Sequence, residues 1–79
     1  EEVSKNKITI FPNPNNGIMY VNYTEKPIFV EILNMLGSPI QSFMLTEKRI
    51  DLSTLKNGIY QLILNTKEKQ ITKKIIIQK

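Results

Sequence analysis

Residues 55–64 read LKNGIYQLIL, a polar turn that ends on a glycine and runs directly into an apolar segment. The segment has the period of an extended chain, because Tyr60, Leu62 and Leu64 fall on one face and alternate with the residues between them. Glycine reaches positive φ without the steric penalty of a Cβ atom, and asparagine tolerates the adjoining turn geometry. The stretch therefore predicts a turn followed by a β-strand, with Gly58 at positive φ or in a tightly packed turn position.

Two further stretches repeat this design. Residues 12–21 read PNPNNGIMYV and residues 34–43 read NMLGSPIQSF, so each places one glycine between polar turn residues and a strand. Proline lacks a backbone N–H and fixes φ, which favours turns and strand ends over the middle of a sheet. The residues predicted to shape the three turns are Pro12, Asn13, Pro14, Gly17, Gly37 and Gly58.

Period-two alternation continues through the rest of the chain, and no segment of any length has a helical period. Short polar linkers separate the apolar segments, with a turn every 8 to 12 residues or so, as expected for small β-sandwiches. We predict an all-β fold, an immunoglobulin-like antiparallel sandwich of two sheets and about seven strands. The predicted strands cover residues 7–11, 18–23, 28–33, 40–45, 49–51, 58–65 and 70–78.

The last predicted strand carries a polar residue on its apolar face. Ile71, Ile75 and Ile77 alternate to one side, and Lys73 falls on that same side. Two explanations are open: Lys73 lies near the rim of the sheet and extends its ammonium group to water, or a bulge shifts the register at this point.

Composition excludes several classes of function. The chain has 79 residues, of which 41% are hydrophobic, and this is enough for one small domain. It contains no histidine and no cysteine, so disulfides, zinc sites and the common nucleophile–base pairs are ruled out. The asparagine-rich turn at residues 13–16 has no carboxylate and so lacks the ligands that a calcium loop requires. We predict no enzyme activity, no cofactor and no metal.

The formal net charge of +4 is located in residues 67–79. This tail holds five lysines and one acid, Lys67, Lys69, Lys73, Lys74, Lys79 and Glu68. Lysines at a sheet edge protect it from aggregation, and they also form a basic docking strip. The aromatic residues fall at core positions away from these lysines, which argues against nucleic-acid binding. No apolar run approaches the length of a membrane span, so we predict no direct membrane insertion.

Four motifs in a fixed order resemble one protein family. They are FPNPNNG at residues 11–17, NMLG at 34–37, DLSTLKNGIY at 51–60 and KKIII at 73–77. Each is weak alone, but the order and the position of the last motif resemble the C-terminal sorting domain of type IX secretion cargo. The resemblance covers residues 8–79, and residues 1–7 are predicted to be the remnant of a linker. Phe11 stands where the family usually has tyrosine.

The resemblance implies a secretion signal. Such domains follow a larger cargo protein, which crosses the periplasm and reaches the cell surface or the medium through an outer-membrane translocon. The implied partners are that translocon, its shuttle and sortase components, and the upstream cargo; a sortase-like protease commonly removes the domain. We expect the last strand to offer both side chains and a backbone edge to the translocon. The residues predicted for recognition are Lys73, Lys74, Ile75, Ile77 and Lys79.

A second class of function stays open on the sequence alone. A β-sandwich adhesion or carbohydrate-binding module displays aromatic rings on one face, and this chain has candidates for them. This alternative predicts that Tyr20, Tyr23 and Phe29 form a shallow exposed platform.

Overall fold

The computed structural model describes residues 8–23 and 28–79, which form seven β-strands and, within these ranges, no helix. Each predicted strand is confirmed, with ends that differ by no more than two residues. Lys7, the predicted start of the first strand, lies outside the described residues. The strands are β1 (Thr9–Phe11), β2 (Ile18–Asn22), β3 (Phe29–Leu33), β4 (Pro39–Met44), β5 (Arg49–Asp51), β6 (Gly58–Asn65) and β7 (Gln70–Ile77).

The strands form two antiparallel sheets that pack together as a sandwich. The three-stranded sheet has the order β1-β2-β5, and the four-stranded sheet has the order β4-β3-β6-β7. With the strands lettered A to G along the chain, these orders are A-B-E and D-C-F-G. The B-E and C-F-G neighbours are those of the immunoglobulin fold, with the fourth strand placed beside the third.

Alternation along the strands builds the core between the sheets. Val30 and Ile32 of β3 and Leu62 and Leu64 of β6 are fully buried, and Tyr60 is half-buried against them. The three-stranded sheet contributes residues from the inward faces of β2 and β5, and the loop that follows β5 closes one end. The fully buried side chains on this side are Met19, Val21, Ile50 and Leu52.

All three glycine turns lie at the same end of the sandwich as the C-terminus. Neighbouring strands in each sheet are antiparallel, so β1, β3, β5 and β7 run toward this end and β2, β4 and β6 run away from it. We call it the C-terminal end, formed by residues 12–17, 34–38, 52–57 and 78–79. Ile8, the first described residue, lies at the opposite end of the sandwich.

The conformations of the glycines confirm the turn prediction at two sites and correct it at the third. Gly17 has φ of 110° and Gly37 has φ of 91°. The prediction of positive φ was wrong for Gly58, which begins β6 and pairs with Ile77 in the ladder. A Cβ atom on Gly58 would lie 3.6 Å from the nearest atom of the Tyr60 ring, an ordinary contact. Because this position already belongs to the sheet, it needs extended backbone rather than turn geometry.

Candidate recognition site at the C-terminal strand

The segment between β1 and β2 covers part of the outer edge of β7. The side chain of Asn13 acts here like a peptide group of an additional strand. Its Nδ2 donates to the Lys74 carbonyl oxygen at 2.9 Å, and its Oδ1 accepts from the Ile76 N–H at 2.9 Å. Pro12 and Pro14 flank Asn13 and lie outside the ladders, where their missing N–H groups leave no strand bond unmade.

Asn15 extends this contact with its backbone. Its N–H donates to the Ile76 carbonyl at 2.9 Å, its carbonyl accepts from the Gln78 N–H at 2.7 Å, and the segment runs parallel to β7. Asn15 is only 4% exposed, and its side-chain oxygen accepts from the Gly17 N–H at 2.8 Å. We call residues 13–15 the asparagine clamp. From Lys74 to Gln78 the edge of β7 is occupied by this clamp, so a partner strand cannot pair there while the clamp is in place.

Gly17 connects the clamp to the loop between β5 and β6. Its carbonyl accepts from the Leu52 N–H at 2.6 Å. A Cβ atom at this position would lie 3.1 Å from the Ser53 Cα atom, closer than side chains normally approach backbone. Positive φ and this close approach together require glycine at residue 17.

The last residue is attached to the same loop at two points. The Lys79 N–H donates to Asn57 Oδ1 at 3.0 Å, and the Lys79 ammonium group donates to the Ser53 carbonyl at 2.6 Å. The carboxylate of Asp51 accepts from the N–H and the hydroxyl of Ser53, at 3.0 and 2.6 Å. These two bonds, the hydroxyl contributing most, lower the pKa of Asp51 below its usual value. The loop is therefore ordered at the place where Lys79 binds it.

The residues predicted for recognition divide into two groups by burial. Ile75 is 0% exposed and Ile77 is 1% exposed, so both side chains belong to the core. Lys73, Lys74 and Lys79 are exposed. Within the part of the chain that the structure describes, neither Lys73 nor Lys74 has a charged side chain as partner. In the folded domain, direct contact with a partner is thus open to the lysines and closed to the isoleucine side chains.

Lys73 lies at the rim of the core, which decides between the two explanations left open by the sequence. The β6–β7 register is continuous and pairs Leu62 with Lys73, so no bulge occurs there. Lys73 points into the opening between β1 and β7, beside an open cavity of about 290 Å³ that Ile8, Ile10 and Asn13 also line. Lys74 points to the outer face of the four-stranded sheet. The two lysines therefore lie on opposite sides of the same strand.

Comparison with known protein families identifies the family of the chain. A family model described as the secretion system C-terminal sorting domain matches residues 9–78, which run from β1 to the residue after β7. The chain belongs to this family. It is therefore a C-terminal sorting signal of type IX secretion, attached to an upstream cargo that it directs to the cell surface or the extracellular space. No curated protein matches the chain.

In this sorting domain the turn motifs and the terminal strand form one connected unit. The sequence predicted turns at residues 12–17 and recognition at β7, but it did not predict that Asn13 and Asn15 bind β7, or that Asn57 and Ser53 hold Lys79. Asn13 and Asn15 are separated by one residue, which is the spacing of groups that point to one side of an extended segment. This spacing was the one feature of the sequence that could have indicated a shared partner for the two asparagines.

The aromatic platform required by the carbohydrate-binding alternative does not form from the predicted residues. Tyr23 is 5% exposed and belongs to the core, and Phe29 lies on the other sheet from Tyr20. Tyr20 instead stacks on Phe11, with ring centroids 5.9 Å apart and an interplanar angle of 29°.

Residues 8–23 and 28–79 contain no group of three or more acidic, histidine or cysteine side chains placed to hold a metal ion. The same ranges contain no helix of the length and hydropathy needed to cross a membrane.

Proposed function

We propose that the type IX translocon recognises the folded sorting domain through the exposed lysines of the terminal strand, Lys73, Lys74 and Lys79. Ile75 and Ile77 have the separate task of fixing that strand in the core. The observation that carries the proposal is the contrast in exposure along β7, where buried isoleucines hold the backbone and adjacent lysines face water.

In this proposal the translocon binds the end of β7 through the charges of the lysine side chains and not by adding a strand to the edge of the sheet. The asparagine clamp bonds to the outward backbone groups of Lys74, Ile76 and Gln78, so the expected backbone edge is not open there. Lysine side chains in water contribute little to stability but strongly affect encounter rate and partner choice. An acidic surface on the translocon or its shuttle component is the complementary partner.

The position of the two ends of the domain supports transport with cargo attached. Cargo joins the chain upstream of Ile8, whereas the clamp, the loop at residues 52–57 and Lys79 lie at the opposite end of the sandwich. A folded cargo in the periplasm then leaves the C-terminal end accessible to the translocon.

Residues 1–7 are proposed to be the linker in which a sortase-like protease removes the domain after export. Ile8 is buried, so a cut within residues 1–7 leaves the described core intact. Mass spectrometry of the new C-terminus of surface-attached cargo tests this: a terminus inside β1 or beyond contradicts it.

Charge reversal tests the recognition proposal better than truncation, because deleting residues 74–79 removes Ile75 and Ile77 from the core. A reporter is fused upstream of the chain and the double variant Lys73→Glu/Lys74→Glu is expressed in a bacterium with this secretion system. We expect the reporter to accumulate in the periplasm, while the melting temperature of the purified domain stays near that of the wild type.

The charge-matched control is Lys48→Glu/Lys67→Glu, which reverses two exposed lysines at the opposite end of the sandwich; because Lys48 Nζ lies 5.7 Å from the centroid of the Tyr23 ring, the melting temperature of this control is measured as well. Both double variants lower the formal net charge from +4 to 0, because each reversal removes two units of charge. Normal export of the control with failure of the Lys73/Lys74 variant supports local recognition. Equal export of the two variants contradicts it.

A further inference from the structure

Strand β4 forms an exposed edge of the four-stranded sheet that carries no charge. Residues 32–46 contain no Asp, Glu, Lys or Arg, and β4 lies at the centre of this stretch. Its six residues are exposed or half-exposed, with Ile40 and Met44 at 43% and 50%. β4 pairs with β3 on one side, and no described strand covers its other side.

The other edges of the sandwich are shorter or protected. β1 and β5 have three residues each. β7 is covered by the asparagine clamp over its last residues and carries Lys73 and Lys74. Proteins commonly protect free edges in these ways, by lysines, short strands or covering segments. β4 has Pro39 as its first residue and a register shift beside Ile32 and Leu33, both at the end near the turn, so its remaining residues 41–44 carry neither protection.

The outward backbone groups of β4 can be assigned from its pairing with β3. The Leu45 N–H donates to the Ile28 carbonyl at 2.8 Å, and alternate residues share this direction. The N–H and C=O groups of Ser42 and Met44 therefore point away from β3. Residues 41–45 lie beyond the register shift and keep regular geometry.

We propose that a second copy of this chain pairs with β4 in an antiparallel, two-fold symmetric arrangement, so that two four-stranded sheets join into one. An axis at Phe43 sets Ser42 of one copy opposite Met44 of the other and forms about four backbone hydrogen bonds. It also places Phe43 opposite Phe43 of the second copy, where aromatic cross-strand pairs are favourable.

Charge selects this edge for self-association. Each copy carries a net charge of +4, and lysines along β7 oppose contact between two such edges. The charge nearest to β4 on its own sheet is Glu31, and its Oε1 accepts from Asn65 Nδ2 at 3.1 Å, toward β6 and away from β4. An open cavity separates β4 from the charged side chains of the neighbouring loop and of β5. These side chains carry both positive and negative charge: Glu47, Arg49 and Asp51. The approach of two β4 edges thus avoids the repulsion that other surfaces of the domain produce.

Analytical ultracentrifugation of the 79-residue chain over a range of concentrations tests the proposal, with Ser42→Lys as the main variant. A lysine at this exposed position meets its own copy near the axis, and we expect the dimer Kd to rise by at least about tenfold. Thr72→Lys is the matched control, since Thr72 is an exposed edge residue of β7, and its dimer Kd is expected to stay within about twofold of the wild type.

Amide hydrogen exchange gives a second measurement that does not depend on a variant. Among the residues that the structure describes, no group accepts from the Ser42 and Met44 amides in the monomer, so their protection must rise with protein concentration if β4 is the interface. A chain that stays monomeric to millimolar concentration overturns the proposal. A dimer that Thr72→Lys disrupts and Ser42→Lys does not also overturns it, and places the contact at β7. Binding of a different protein to β4, with no self-association, is a third outcome that contradicts it.

Discussion

Replacing Asn13 by alanine tests whether the asparagine clamp holds the terminal strand. The substitution removes two hydrogen bonds, one to the Lys74 carbonyl and one from the Ile76 N–H, each of 2.9 Å. A hydrogen bond contributes a net 0.5–1.5 kcal/mol or so, and both of these are exposed, so water replaces part of the loss. We expect Asn13→Ala to lower the free energy of unfolding by about 1–2 kcal/mol, a large fraction of the stability of so small a domain.

Urea unfolding measures the global effect, and hydrogen exchange of the Ile76 amide measures the local one. That amide donates to Asn13 Oδ1, so its protection should fall by more than global destabilisation accounts for. Asn16→Ala is the matched control, because Asn16 is an exposed asparagine of the same loop whose Oδ1 accepts from the Ile18 N–H at 3.4 Å, a long bond within the loop itself. If Asn13→Ala and Asn16→Ala give equal stability and equal Ile76 protection, the clamp does not hold the strand.

Three further predictions concern the core, the turns and the pH dependence of the domain. Leu62→Ala should cost about 2–5 kcal/mol in urea unfolding, because it opens a cavity at a fully buried position; a cost below 1 kcal/mol or so would contradict the core assignment. Gly17→Ala should cost at least about 1 kcal/mol, since it combines positive φ with a close approach to Ser53, whereas Gly58→Ala should change stability by less than about 1 kcal/mol. Equal effects of the two glycine substitutions would refute this distinction. The lowered pKa of Asp51 means that its contribution is present above the unfolded-state pKa and is lost as pH falls through the folded-state pKa. Melting temperatures measured from pH 7 to pH 3 should therefore show the difference between wild type and Asp51→Asn shrinking at the acid end, and a constant difference would count against it.

The strands were predictable because their information is local. Alternation in residues 58–65 is enough to place Leu62 and Leu64 in the core, although burial does not alternate along every strand, as the short β1 and the first half of β7 show. Gly58 shows the limit of this reasoning. The pattern of Asn57 followed by glycine indicates a turn, but pairing with Ile77 draws Gly58 into the sheet, and tertiary contacts thus override a local preference.

The clamp could not be predicted from local pattern, because its contacts join residues that are far apart in sequence. Asn13 bonds to Lys74 and Ile76, which are 61 and 63 positions away. The sequence identifies a polar loop and a terminal strand, but the fold alone decides that the loop lies beside that strand. The same holds for Lys79, whose partners Ser53 and Asn57 lie in a loop that the sequence indicates only as a turn.

The arrangement of β7 explains how one short strand can serve folding and also the recognition that we propose for it. Each isoleucine that points inward, Ile75 or Ile77, fixes the backbone of the lysines near it, and the clamp fixes the same backbone from the outer edge. The strand is thus held from both sides before any partner arrives, so docking does not have to include the cost of ordering the chain. The same geometry explains how a lysine can occupy position 73 on the apolar face of β7. At the rim of a sandwich, a lysine side chain can point toward the core side and still leave its charge in water. If these lysines are the signal, as we propose, the signal also reports that the domain has folded, because the lysines reach their positions only when the isoleucines are buried.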